Sequence, residues 1–388
     1  MRTCFFTTIV FALACSSCLN NNSETRTPSS TGGVVVDLEE GFTKDVSIVD
    51  IFSKVEIVEL ERSSEAMIAE QTILSKAFGD TSFYVLDRTD YLIREFDYHG
   101  KLLSISDKHG RGPGEIVMAN DMIINEYTET LDVLDPRGLI YKYHLSDLSW
   151  AGTIDLSDRV LAVHFLAALS QKDYCFYSLS EAPVLFLMSD VEGSGISALD
   201  ITVPTWLTMT PFCGGGSPFY RLGNDVRFTL KYNGNTYKIG DGALSPNFIW
   251  DLGKFSFSPD LVDSDKDYMY YRDLLNKTSR KYATAFNRVA ESQRFLLQNF
   301  RFKGPSSWNL LIYDKNDGTV RLLKKTKEHV YVIVGVVRGD SMYALVDPDI
   351  CDYFVNEEVL DEPSLTTYKQ LSDDSNVVML KYTFRDDE

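Results

Sequence analysis

Positive charge is what this chain has least to spare. Its 38 Lys and Arg face 56 Asp and Glu, which leaves a net charge of −18 and a pI near 4.7. Such a balance repels phosphate backbones and anionic headgroups, so nucleic acid is excluded as a partner. Histidine is scarce as well. The five, His99, His109, His144, His164 and His329, show no His-Glu-x-x-His or other paired spacing, so each reads as a surface or core residue and not as a zinc ligand. No Gly-x-Ser-x-Gly elbow occurs, which argues against a serine hydrolase. The run Asp314-Lys315-Asn316-Asp317-Gly318 lacks the remaining ligands and distal glutamate of a calcium loop and reads as a hairpin turn. Beyond the N-terminal segment only Cys175, Cys213 and Cys351 remain, an odd number without metal-ligand spacing. They allow one disulfide at most and read as small buried hydrophobes.

Apolar residues, by contrast, make up 44% of the 388 residues, ample for a substantial core. The 21 Tyr and 23 Phe lean toward strands, where flat side chains pack on a pleated, half-buried surface. At the N-terminus Arg2 precedes the apolar run Phe5 to Ala14, followed by Cys15-Ser16-Ser17-Cys18. The run is too short for the ~20 residues of a bilayer-spanning helix. It resembles a bacterial lipoprotein signal peptide over residues 1–17, with lipidation expected at Cys18 and Cys15 as the alternative. Residues 18–33 are rich in Asn, Ser, Thr and Gly and read as a flexible tether, and the folded part is expected over 34–388.

Within that part the chain repeats. Phe83-Tyr84-Val85-Leu86-Asp87 aligns with Leu131-Asp132-Val133-Leu134-Asp135, and Leu92-Ile93-Arg94-Glu95-Phe96 with Leu139-Ile140-Tyr141-Lys142-Tyr143, at offsets of 48 and 47 residues. Each unit is a meander of short strands, and a fourth strand precedes it at Thr72 to Ala77 or Asp121 to Asn125. Weaker units follow, with strands at Tyr174 to Leu179, Val226 to Lys231, Asn247 to Leu252 and Trp308 to Asp314. A sixth unit has strands at Val330 to Val337, Ser341 to Val346 and Val377 to Phe384, one strand short. The alternating stretch Val55 to Glu61 supplies the missing strand from the other end of the chain. An all-β, six-bladed β-propeller of four-stranded antiparallel blades follows, closed by the N-terminal strand. Residues 260–291 break the rhythm and read as a helical insertion between units four and five, with Tyr268, Tyr271, Leu274 and Leu275 at helical spacing. The acidic stretch Asp347 to Glu362 reads as a solvated flap.

The Tyr84-Val85-Leu86-Asp87 strand, the Phe96 to Lys101 turn and the Gly110-Arg111-Gly112-Pro113-Gly114-Glu115 connector carry a resemblance. So do Asn235 to Ile239, Glu291 to Leu296 and Tyr343 to Val346. Together they resemble the six-bladed β-propeller lipoproteins of Bacteroidetes, related in pattern to NHL and TolB-like propellers, over roughly residues 45–388. Ile116 and Gly234-Asn235 depart from the usual pattern. The resemblance implies a place in the cell envelope, lipid-anchored to the outer membrane and facing the periplasm or the surface. It supplies no catalytic residue. It also implies that connectors between blades share a face with the hairpins between middle strands, a face that binds ligands. His109, Arg111 and Glu115 are thus expected to join Arg88, Asp90 and Arg137 around one sector of the channel mouth, where a guanidinium fork could grip a carboxylate or sulfate. The competing reading has Arg111 and Glu115 tying neighbouring blades together.

The functional expectation is a lipid-anchored binding module with a carbohydrate, peptide or protein ligand, more a binder than an enzyme, and without a cofactor. Its alternative is a metal-dependent hydrolase or lyase holding a divalent cation in the channel. Three or more carboxylate or amide side chains converging on the channel axis would favour that alternative.

Overall fold

The computed structural model describes residues 33–386, apart from 107–108, 161, 180–183, 191–194, 202, 209, 211–212, 214–215, 264–265 and 305–306. The signal peptide, the lipidation site at Cys18 or Cys15 and nearly all of the tether lie outside the described residues.

Strand pairing yields six four-stranded antiparallel sheets. Blades one and two run in chain order from Ile73–Phe78 to Leu102–Ser106 and from Asp121–Asn125 to Trp150–Asp155. Blades three, four and five follow from Val163–Ala168, Phe219–Leu222 and Thr284–Glu291. The sixth is assembled from both ends of the chain. Val336–Arg338, Ser341–Val346 and Val378–Phe384 are completed by Phe52–Glu59, whose register runs from Phe52 opposite Phe384 to Glu59 opposite Val378. Joining first and last segments in one sheet closes the ring without leaving a long bare edge. A second clasp is smaller: Val34–Val35 pairs in parallel with Trp250–Asp251.

The second strands explain the apolar composition. Ser82–Asp87, Thr130–Asp135 and Ser341–Val346 are buried along their whole length, because each is covered by neighbouring blades on both faces. Among the described residues the buried apolar side chains fall into six clusters, one in each gap between adjacent blades. Aromatics fill these gaps. Phe83 stacks on Phe78 and Phe96 at 5.2 and 5.6 Å between ring centroids, and Phe78 stacks on Tyr343 of blade six at 5.2 Å. Cys175, Cys213 and Cys351 are free thiols, all buried.

Four local expectations are corrected. The third hairpin of blade four uses Ala243–Phe248, not Asn247 to Leu252, because Gly242 at φ +75° allows a tighter turn and releases Trp250–Asp251 to pair with Val34–Val35. The inner strand of blade six is short, Val336–Arg338, while 330–335 is irregular. The insertion between blades four and five ends before residue 284, since Thr284–Glu291 is the inner strand of blade five. Its helix, Tyr268–Thr278, starts where Asp267 accepts the Tyr270 N–H at 2.8 Å, and buries Tyr271 and Leu275 against blades three and four. The acidic stretch is no solvated flap. Cys351 and Val355 are fully buried there, and the following helix Glu362–Lys369 docks on the closing strand, where Ser364 accepts the Ile57 N–H at 3.3 Å.

Candidate functional site

The connector at 109–115 is fixed by its own glutamate. The Glu115 carboxylate folds back to accept the Gly112 N–H at 2.7 Å, and a Cβ on Gly110 would lie 2.0 Å from Glu115 Oε2. Gly114 has φ +72°, and a Cβ there would meet Trp150 Cγ of blade two at 2.4 Å. Its carbonyl accepts the buried Tyr143 hydroxyl of blade two at 2.9 Å. The glycines therefore let backbone and carboxylate nest against blade two.

The six residues expected at the channel mouth take different places. Arg88 lines the central cavity. Arg137 instead grips the buried Asp135 carboxylate through Nε at 2.9 Å and Nη2 at 2.5 Å, and this partner holds its pKa above the usual arginine range. Asp90 accepts the Leu92 N–H at 2.9 Å and Arg94 Nη2 at 3.2 Å. The His109 ring lies edge-on to Tyr91 at 5.6 Å. Arg111 is exposed, with no side-chain partner among the described residues. Of the six, only Arg88 lines the cavity.

That cavity is the central channel, about 1690 Å³, lined by the inner strands of all six blades. Inner strands begin at connectors and end in hairpins, so the channel has two unlike mouths. At the hairpin mouth Arg338 of blade six donates to Asp80 of blade one at 2.7 and 3.0 Å and also pairs with Glu126 of blade two. Towards the connector mouth stand Arg88, Lys76 of blade one and Arg288 of blade five. Arg288 approaches Glu70 at 3.9 Å, and Lys324 and Trp308 lie on the rim.

Crowding by protein marks these groups. Burial, aided by Arg288, pushes the Lys76 ammonium down to about 8, with Glu70 opposing. Burial likewise lowers Arg288. Asp121, first residue of the blade-two inner strand, is pushed up to about 7 by burial. The Ser75 hydroxyl at 2.9 Å and the N–H groups of Leu166 and Met122 hold it back. Burial pushes Lys231 down to about 7, and its ammonium donates to the Gly216 carbonyl. Sequence reasoning missed this set, whose members lie far apart in the chain. The one available signal was Lys76 itself, a lysine inside an otherwise inward-packing strand, Ile73-Leu74-Ser75-Lys76-Ala77-Phe78. Among the described residues no three His, Cys, Asp or Glu side chains gather as a metal site would require.

No curated protein matches the sequence. In structure the chain is similar to a Bacteroides fragilis protein classed as exported, at 15% identity and a TM-score of 0.68, covering 89% of this chain and 98% of that one. It is also similar to a DUF4221 family member from Bacteroides vulgatus, at 10% identity and a TM-score of 0.53, covering 88% and 98%. At such identities the likeness concerns the fold. A family model described as a domain of unknown function matches residues 33–383, and this six-bladed propeller therefore belongs to the DUF4934 family.

Proposed function

We propose that the protein is an exported binding module that takes its ligand, a saccharide or a short peptide, into the connector half of the central channel. The observation that carries the reading is the cavity of about 1690 Å³, where charged side chains and Trp308 line one space. Export and anchoring through Cys18 rest on the basic Arg2, the apolar run and the small residues before the cysteine. The exported B. fragilis protein of similar fold agrees with that location.

Binding of the full chain to arrays of saccharides and short peptides tests the proposal. Val336 lines the channel and is 37% exposed there. The expected result is a bound class whose signal disappears in Val336→Trp, which sets an indole into the connector half of the channel. Binding that survives this substitution locates the ligand elsewhere and overturns the reading.

A further inference from the structure

The buried carboxylates of this molecule are well matched, and its buried arginines are paired in part, with Arg94 Nη1 and Arg227 Nε left over. Glu291 receives Tyr220, Asn247, Arg227 and Lys315, and Asp132 receives Asn125, Thr130, Lys142 and Tyr174, all within 3.3 Å. Arg94, 6% exposed, reaches the Glu65 carbonyl and Asp90. The channel cations break this rule. The Lys76 ammonium makes no hydrogen bond and no ion pair with any described residue, although it is half-buried in the channel wall. The Arg288 guanidinium makes no hydrogen bond either and has Glu70 at 3.9 Å, beyond hydrogen-bonding reach. Lys76 and Arg288 also repel each other, as the lowering of the lysine by the arginine records. On a chain of net charge −18, Lys76 and Arg288, the latter 43% exposed, share the one carboxylate of Glu70 and leave a local positive excess open to the channel.

Building on the channel-binding reading, we propose that Lys76 and Arg288 form an anion-binding site in the central channel that takes the carboxylate of an acidic ligand. Guanidinium offers a planar fork and ammonium a point charge, a pairing suited to an oxyanion held on one side by two parallel N–H groups. Glu70 sets the preference among anions. With Lys76 and Arg288 it leaves a net charge near +1, which matches a monoanionic carboxylate and disfavours a doubly charged phosphate. Asp121, Arg88 and Lys324 are the other charged side chains lining this half of the channel, and Lys231 lies close by, with Asp121 raising its pKa and Arg288 lowering it. Asp121 is already held by Ser75, Leu166 and Met122 and does not supply the missing counter-ion, while Lys231, a further cation, donates to the Gly216 carbonyl.

Calorimetric titration of the full chain with sodium glucuronate at constant ionic strength tests the site, with glucose as neutral control and acetate and inorganic phosphate as further probes. Glucuronate is expected to bind more tightly than glucose and phosphate, and at least tenfold more weakly to Lys76→Met and to Arg288→Gln. Lys76→Arg retains most of the affinity. Binding by the native protein weakens as pH rises through about 8, where Lys76 loses its proton, and this dependence disappears in Lys76→Met. Lys76→Met should melt no lower than the native protein, since it removes an unpaired cation, and this separates loss of the site from loss of the fold. Acetate binding as tightly as glucuronate identifies the carboxylate alone as the recognised group, whereas glucuronate binding much tighter adds the sugar. Glucuronate affinity unchanged in both variants overturns the proposal, and so does phosphate bound more tightly than any carboxylate. If array ligands still bind and are lost in Val336→Trp while no carboxylate binds, the anion site alone falls. If nothing binds in the channel, both readings fall.

Discussion

Glu291, between blades four and five, receives four donor side chains; the Lys76 ammonium, in the channel, has no hydrogen-bond partner among the described residues. Glu291 is taken out of water and Lys76 is half-buried on the channel wall, and the contrast separates two uses of charge. Between blades each carboxylate is saturated, so it locks two sheets in one register and cannot change partners. In the channel the cations keep their hydrogen-bonding capacity, which a ligand can use. The two channel mouths repeat the contrast on a smaller scale. Arg338 pairs with Asp80 and Glu126 across blades at the hairpin mouth, whereas Arg88 at the connector mouth has no side-chain partner among the described residues.

Removing a saturated carboxylate should show the largest effect. Glu291→Ala takes the buried carboxylate from Arg227, which keeps only the more exposed Asp225 at 3.5 Å, and leaves Lys315 without a counter-charge; it should cost about 3–5 kcal/mol in urea unfolding. A loss below about 1 kcal/mol would erase the distinction between interblade and channel charge. Next comes the connector: Gly114→Ala combines a positive φ with a close approach to Trp150, for a cost of about 2–4 kcal/mol in the same measurement. A third test is pH. The folded pKa of Asp121 lies near 7, above its ordinary 3.8, so the native state holds its proton more tightly than the unfolded chain. Stability from this residue is therefore complete at low pH and is lost as pH rises from about 4 to about 7, and Asp121→Asn should flatten that part of the stability profile. The smallest effect belongs to the hairpin mouth. Arg338→Ala breaks partly exposed pairs and should change stability by less than about 1 kcal/mol, with the melting temperature as readout.

Much of the architecture was legible because propellers write their repeats into sequence. Leu86 and Leu134 occupy equivalent second strands at an offset of 48 residues, and both are fully buried. Val55 and Ile57 alternate with polar neighbours and face inward in the closing strand, as a period of two requires. The boundaries that failed lie where pairing is decided by partners outside the repeat. Trp250 could extend blade four or pair with Val34, and only the position of the N-terminal segment settles it. The 109–115 connector was recognisable as a shaped loop, yet its contacts with Trp150 and Tyr143 come from the next blade and leave no mark in the local sequence.

By itself the sequence determined the strand rhythm, the sixfold count, the closure by residues near the N-terminus and the acidic character, because each is a matter of period and composition. The tertiary structure alone decided which charges meet. Lys76 and Arg288 sit on inner strands of blades one and five, and they share a channel because the ring bends back on itself. Sequence distance carries no information about such a meeting. Whether a buried charge is saturated or left bare depends on the side chains that the closed ring gathers around it.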